Sequence, residues 1–281
     1  MPRRCAVLGD PIEHSLSPVL HRAAYAALGL DWTYDAVRVP AGGLAAYVDD
    51  LDADWRGLSL TMPLKREVIA LLSSRDDWTR VSGAANTLLL DAEGGRHGLN
   101  TDIPGALAAI NTATEGPIRS AVVLGGGATA ASVLLALAER GLERATLVVR
   151  DPARATETLT AVARHPRPPQ VTVTALEDLE PVPADILVST VPVEAQTESV
   201  TTRLGDLPVV FDVLYDPWPT PLAAAAAADG RVVVSGLDLL LWQAVDQVRA
   251  MTGRFDVPVD VMRRAGEAGL AERRNQAPSA G

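Results

Sequence analysis

Ser120-Ala121-Val122-Val123-Leu124-Gly125-Gly126-Gly127-Ala128-Thr129-Ala130 runs from a short apolar stretch through three consecutive glycines into a helix-forming segment. An apolar run without polar alternation suits a strand buried on both faces. The glycines fit the pattern G-x-G-x-x-A between a strand and a helix. Glycine lets the turn close and lets backbone N–H groups approach a pyrophosphate, which then faces the positive end of the helix dipole. The bland alternative is a tight strand-to-helix turn with no ligand. The context favours nucleotide binding through Gly125, Gly126, Gly127, Ala128, Thr129 and Ala130. The next strand, over 145–149, ends in Val149-Arg150-Asp151-Pro152-Ala153-Arg154. Arg150 offers a planar fork to a ribose 2′-phosphate, with Arg154 about one turn further on. Asp151 pulls the other way, towards a ribose with free hydroxyls, unless it merely caps the helix that Pro152 opens.

Outward from this point the chain alternates strands and helices, which implies α/β architecture with mostly parallel sheets. Towards the C-terminus, helices are expected over 128–140, closed by Gly141, and over 152–163. Strands follow near 171–173, 186–189, 209–211 and 232–234, with the alanine run 223–228 in a helix. A long apolar helix covers 237–251, and a last one begins near Pro258. Towards the N-terminus, a strand over 4–8 precedes Ser17-Pro18, which reads as an N-cap followed by proline at the first helical position. Further strands are expected over 34–39 and 58–60, and helices over 44–51 and 63–72. The stretches 86–90 and 96–99 flank a glycine turn and read as a hairpin. The polar segment 272–281 reads as disordered.

At 281 residues the chain has room for about two domains. A formal net charge of −10 argues against a nucleic-acid coat and against an anionic membrane surface. The single cysteine, Cys5, excludes an intramolecular disulfide and clustered thiolate metal sites. Four histidines, none paired at helical spacing, make a metal site an unsupported reading. The apolar run behind the basic start ends at Asp10, too short for a signal peptide, and no run reaches the ~18 residues of a membrane span. The expectation is a soluble, cytoplasmic protein.

Lys65 is the oddest charge. It falls in the first turn of the helix opened by Pro63, where a cation opposes the helix dipole, with Arg66 beside it. Both features favour the neutral amine that a general base needs. The alternative is a solvated surface lysine. Ser15, Ser17, Thr61, Asn86 and Asp102 lie at or near strand ends, where α/β sites are built. Singly, the bland readings are favoured: Ser17 and Asp102 as helix caps and Asn86 as a turn residue.

Taken in order, the segments Gly9-Asp10-Pro11-Ile12-Glu13-His14-Ser15-Leu16-Ser17-Pro18, Ser59-Leu60-Thr61-Met62-Pro63-Leu64-Lys65, Gly83-Ala84-Ala85-Asn86-Thr87, Asn100-Thr101-Asp102, Ser189-Thr190-Val191-Pro192, Tyr215-Asp216-Pro217-Trp218-Pro219-Thr220 and Gly236-Leu237-Asp238-Leu239-Leu240-Leu241-Trp242-Gln243 resemble the shikimate dehydrogenase family over nearly the whole chain. The resemblance implies reversible reduction of 3-dehydroshikimate to shikimate with NADPH, a step of chorismate and aromatic amino acid biosynthesis. It implies Lys65 and Asp102 as the catalytic pair and Ser15 and Ser17 at the substrate carboxylate. Thr61, Asn86, Asp102 and Gln243 would meet the ring hydroxyls, with Tyr215 nearby. Thr190, Val213, Gly236 and Leu239 would line the cofactor. It implies an N-terminal α/β substrate-binding domain over 1–102, joined by returning helices from 237–281, and a Rossmann-type dinucleotide domain over 103–236. The chain departs from the family where Ser59 replaces the usual Asn, where Val149-Arg150-Asp151 replaces Asn-Arg-Thr, and where Leu239 replaces a methionine. These departures keep open a quinate or quinate/shikimate dehydrogenase using NAD and, more distantly, a non-catalytic NADP-binding regulator. The expected partners are small molecules, with the chain a monomer or a homodimer.

Overall fold

The structure, a computed structural model, describes residues 3–204 and 207–276, the side chains of Arg154 and Gln276 excepted. The chain divides into two compact units, Met1–Thr101 with Gln243–Gly281, and Asp102–Trp242. Among the described residues no helix is long and apolar enough to cross a membrane.

The first unit opens with β1 (Arg3–Gly9), α1 (Ser17–Ala27), β2 (Trp32–Arg38), α2 (Leu44–Asp49), β3 (Trp55–Leu60) and the single-turn α3 (Leu64–Glu67). It continues with β4 (Ser74–Arg75), α4 (Asp77–Ser82) and the hairpin β5 (Thr87–Leu90) and β6 (Arg96–Leu99). The strand order is β2-β1-β3-β5-β6-β4. β1 runs parallel to β2 and β3, whereas β5 is antiparallel to both β3 and β6. The C-terminal ends of β1, β3 and β6 and the start of β5 therefore share one edge. Ala6, Leu8, Leu58, Leu60 and Leu88 form the sheet's contribution to a core closed by Leu44, Leu64 and Val68.

The second unit contains α5 (Asp102–Ala113), β7 (Ser120–Leu124), α6 (Ala128–Glu139), β8 (Arg144–Val149), α7 (Thr156–Ala163), β9 (Gln170–Ala175) and β10 (Ile186–Ser189). Then come α8 (Glu198–Arg203), β11 (Val209–Asp212), α9 (Pro221–Ala228), β12 (Val232–Val234) and the start of α10 (Gly236–Thr252). The rest of α10 and α11 (Val259–Gln276) belong to the first unit. All neighbouring strands of the second sheet are parallel, in the order β12-β11-β10-β7-β8-β9. That is a doubly wound sheet with its switch point between β7 and β10, where such sheets bind ligands at the C-terminal strand ends. Every residue of β7, β10 and β11 is buried, which is why these strands carry no polar alternation.

Several expectations are corrected. The helix over 63–72 is one α turn followed by a 3-10 turn at Val68–Leu71. Val68 and Ile69, adjacent β-branched residues, weaken continuation. Ser17 is not an N-cap: Leu16 holds that position and no side chain caps α1. The helix expected over 152–163 starts as a 3-10 turn, Pro152–Ala155, before α7. The segment 272–276 is helical rather than disordered, because it completes α11, and residues 277–281 lie outside the described residues.

His21, on α1, is fully buried and stacks on Tyr34 at 3.9 Å between ring centroids. Its Nδ1 lies 2.9 Å from the Ser17 carbonyl oxygen, which can only accept, so Nδ1 carries the proton. Nε2 is buried with no partner. Burial holds this imidazole down from its usual 6.5 to about 4. Between those values the unfolded chain binds a proton that the folded chain refuses, so stability falls as pH falls through the window. The loss is about 3 kcal/mol, complete near pH 4. His21→Phe keeps a ring against Tyr34 and removes the titration. Thermal melts from pH 7 to pH 4 should show a shallower decline for this variant than for the wild type; equal declines would mean that His21 does not titrate this way.

Candidate active site

The loop after β1 carries Ser15 and Ser17. The Ser17 N–H donates to Ser15 Oγ at 3.3 Å, and the carbonyls of His14 and Ser15 accept from the Arg273 guanidinium at 2.7 and 3.1 Å. Helix α11 thus clamps this loop through its backbone. Ser17 is buried. Thr61 and Lys65 follow β3. The Thr61 N–H donates to the Leu8 carbonyl, and the Lys65 carbonyl accepts from Ala85 N–H at 2.8 Å. α3 is one turn long, with Lys65 its second residue.

Asn86 is the centre of this edge. The Thr101 peptide N–H donates to one end of its carboxamide at 2.8 Å, which identifies that end as oxygen. The same oxygen accepts from Thr87 Oγ1 at 2.9 Å. The amide nitrogen donates to Thr101 Oγ1 at 2.9 Å and to Gln243 Oε1 at 3.2 Å. Behind Asn86, Tyr34 OH donates to Ser59 Oγ and Ser59 Oγ to Gln247 Oε1, at 2.6 and 2.8 Å. Gln247 Nε2 then donates to Thr87 Oγ1 and to the Asn86 carbonyl. Ser59, buried, spends its hydroxyl in this chain. Thus Ser15, Ser17, Thr61, Lys65, Asn86 and Gln243 occur together in the first unit.

Asp102 and Tyr215 belong to the second unit. Asp102 opens α5 and is 6% exposed. Tyr215 is in the loop after β11, which is pinned by Asp212. The buried Asp212 carboxylate accepts from Thr220 Oγ1 at 2.6 Å, Gln196 Nε2 at 2.7 Å and Leu214 N–H at 3.1 Å. Burial pushes its carboxyl above the usual range, while these donors hold it down.

At the switch point, Gly125 has a φ of 100°, and a Cβ there would collide with the Thr190 hydroxyl. Thr190 Oγ1 donates to the Leu124 carbonyl at 2.8 Å, tying the end of β10 to that of β7. Gly127 is the N-cap of α6 and, lacking a side chain, leaves the amides of Ala128, Thr129 and Ala130 uncapped from that side. Arg150 is exposed and makes no ion pair among the described residues. It lines a cavity of about 390 Å³ together with Arg203, Thr197, Ser199 and Glu177. Asp151 accepts from Ala153 N–H at 3.0 Å, as a helix cap. The Arg154 side chain lies outside the described residues. Val213 and Gly236 meet closely, and the buried Leu239 is on α10 three residues further on. Among the described residues no group of three or more His, Cys, Asp or Glu is placed to hold a metal ion.

The sequence profile described as "Shikimate dehydrogenase substrate binding domain" matches residues 7–88, and that of the "Shikimate 5'-dehydrogenase C-terminal domain" matches 236–265. A protein of Rubrobacter xylanophilus named shikimate dehydrogenase (NADP(+)) is 38% identical, over 92% of this chain and 93% of its own. The chain belongs to the shikimate dehydrogenase family. Among solved structures, shikimate dehydrogenase of Mycobacterium tuberculosis superposes with a TM-score of 0.85 at 38% identity, covering 95% of this chain and 100% of that one. Quinate dehydrogenase of Corynebacterium glutamicum in complex with NAD gives 0.86 at 27% identity, with the same coverage.

Sequence reasoning missed the residues that hold the family's motifs in place. Gln247 had a signal, since it follows Gln243 by one helical turn on α10. Asp212 had one too, an acidic residue ending an apolar strand. Arg273 had none, because it sits in a polar segment.

Gly236 is where side-chain volume is least tolerated. A Cβ there would fall onto the Val213 carbonyl oxygen and within 2.5 Å of the Leu214 carbonyl. Both neighbours are backbone and cannot step aside cheaply. Gly236→Ala should destabilise the fold by about 1–3 kcal/mol, read as a lower midpoint in urea or heat. An unchanged midpoint would show that the loop after β11 yields freely.

Proposed function

We propose that the chain catalyses the reversible, NADPH-dependent reduction of 3-dehydroshikimate to shikimate, in the cytoplasm, as a step towards chorismate and the aromatic amino acids. The observation that carries this reading is the edge of the first sheet. The residues that family resemblance assigns to a polyhydroxy acid include Ser15, Ser17, Thr61, Lys65 and Asn86, which follow or open strands of that sheet, and Gln243, which accepts from the oriented Asn86 carboxamide. Serine hydroxyls donate to a carboxylate; Thr61 and Gln243 offer donors and acceptors to ring hydroxyls, and Asn86 is proposed to exchange its bond to Gln243 for one to the ligand. Asp102 and Tyr215 are proposed as further substrate-binding residues, on the family resemblance.

The chain's own residues fit the dinucleotide. The uncapped amides of α6 behind Gly125, Gly126 and Gly127 suit a pyrophosphate. Arg150, beside Arg203, suits a 2′-phosphate, and Thr190, Val213, Gly236 and Leu239 are proposed to line the rest. When bound, the nicotinamide exchanges a hydride with the ring carbon that bears the reacting oxygen. Loss of hydride from an alcohol carbon leaves a protonated carbonyl unless a base removes the hydroxyl proton. Lys65 is proposed to take that proton on its amine and to return it in the reverse direction, with Asp102 as its partner in holding the hydroxyl.

The rival reading is quinate oxidation with NAD, favoured by Asp151 at the end of β8 and by the likeness to the Corynebacterium enzyme. Against it, one oxygen of the Asp151 carboxylate accepts from the Ala153 amide as a helix cap. A steady-state absorbance assay crossing shikimate and quinate with NADP and NAD decides the matter. Turnover should be fastest with shikimate and NADP; no turnover with any pair would leave a non-catalytic binding protein.

Lys65→Ala should lower kcat about 10²–10⁴-fold with shikimate affinity largely kept. A variant retaining more than about a tenth of wild-type kcat at its best pH would remove Lys65 from the role of base.

Arg150→Ala should lower kcat/KM for NADP about tenfold or more, one or two charge-assisted hydrogen bonds being lost, with little change for NAD. If the wild type prefers NAD and Asp151→Ala reduces that activity, the 2′-phosphate assignment is reversed.

A further inference from the structure

Helix α7 carries three threonines at alternate positions, and one behaves differently. Thr156 Oγ1 donates to the Ala153 carbonyl at 2.9 Å and Thr160 Oγ1 to the Thr156 carbonyl at 2.8 Å. Both are local bonds of the kind threonine makes in any helix. Thr158 is fully buried, and its hydroxyl leaves the helix. It donates to the Gly126 carbonyl, 32 residues away, at 2.8 Å, with the Gly127 carbonyl at 3.3 Å. In a trans peptide the C=O and the following N–H point in opposite directions. Holding the Gly126 carbonyl against α7 therefore turns the Gly127 N–H away from α7. The Gly127 carbonyl is meanwhile occupied by Ala131 N–H at 3.1 Å, the first bond of α6. Glycine at 125, 126 and 127 leaves the peptide planes free to rotate, so some other group has to choose among their orientations.

We propose that Thr158 is a positioning residue for the dinucleotide: its hydroxyl fixes the Gly126–Gly127 peptide so that the loop N–H groups face a pyrophosphate. Thr158 touches no ligand and acts through the loop alone. The inference rests on the reading that this loop binds NADP(H).

Calorimetric titration of the full chain with NADP+, and separately with shikimate, tests it on wild type, Thr158→Val and Thr158→Ser. Valine keeps the shape and removes the hydroxyl; serine keeps the hydroxyl. The expected result is about five- to tenfold weaker NADP+ binding for Val, the worth of one hydrogen bond. Ser should stay within about threefold of wild type, and shikimate affinity should be unchanged in both. A Val variant binding NADP+ within about twofold of wild type overturns the proposal. So does a Ser variant as weak as Val, or a parallel loss of shikimate affinity, which would mark Thr158 as a folding residue only. Thr158→Ala replaces Val, under the same criteria, if Val does not fold. A wild type that fails to bind NADP+ sinks the dinucleotide reading and this inference together, whereas tight binding unaffected by Val sinks this inference alone.

Discussion

A peptide N–H can only donate, and the one belonging to Thr101 faces Asn86. That constraint gives direction to the buried polar network of the first unit. With the carboxamide oxygen committed to Thr101 and Thr87, the amide nitrogen has to face Gln243. The chain from Tyr34 through Ser59, Gln247 and Thr87 runs donor to acceptor in the same sense, so no member can reverse without leaving a buried group unpaired. A network of this kind stabilises little beyond what water would offer, but penalises every alternative arrangement by about 1–3 kcal/mol per orphaned group. What it supplies is a single orientation of polar groups at the edge where a polyol would be held.

The second unit solves a different problem. A parallel sheet buried on both faces leaves its strand ends as the places where polar chemistry can gather. Asp212 is the clearest case: a carboxylate buried at the end of β11, tolerated because three donors converge on it. It holds the loop that carries Val213 and Tyr215. The glycine loop has no such side chains, and depends on Thr190 on one side and Thr158 on the other for its shape.

Much of the architecture was legible because burial on both faces writes an unambiguous pattern. The strands Ser120–Leu124, Ile186–Ser189 and Val232–Val234 are uninterrupted apolar runs bounded by polar residues or glycine, and their limits followed from that alone. Short elements left no such trace. β4 is two residues long, α4 and α8 are six each, and α3 gives way where β-branched residues meet. The candidate site was legible in its types, Lys65 and Asn86 near element ends, and, for Gln243, through motifs matched in order. Gln247, Asp212 and Thr158 escaped because their roles come from hydrogen bonds set by strand register and helix rotation. The Ser17 cap failed by one residue: Ser-Pro is a good helix opening locally, but the helix already includes Ser17, and Leu16 holds the N-cap position.

The order of the second sheet also dictates a sequence in time. β7, β8 and β9 pair with neighbours that follow closely in the chain, whereas Ala121 pairs with Ile186 across the whole first half of the unit. Closing that long loop carries an entropic cost that the local pairs do not bear. The crevice between β7 and β10 exists only once Ile186–Ser189 has paired with Ala121–Leu124. A nascent chain halted before Ile186 would hold the glycine loop and its helix yet have no crevice to place them in.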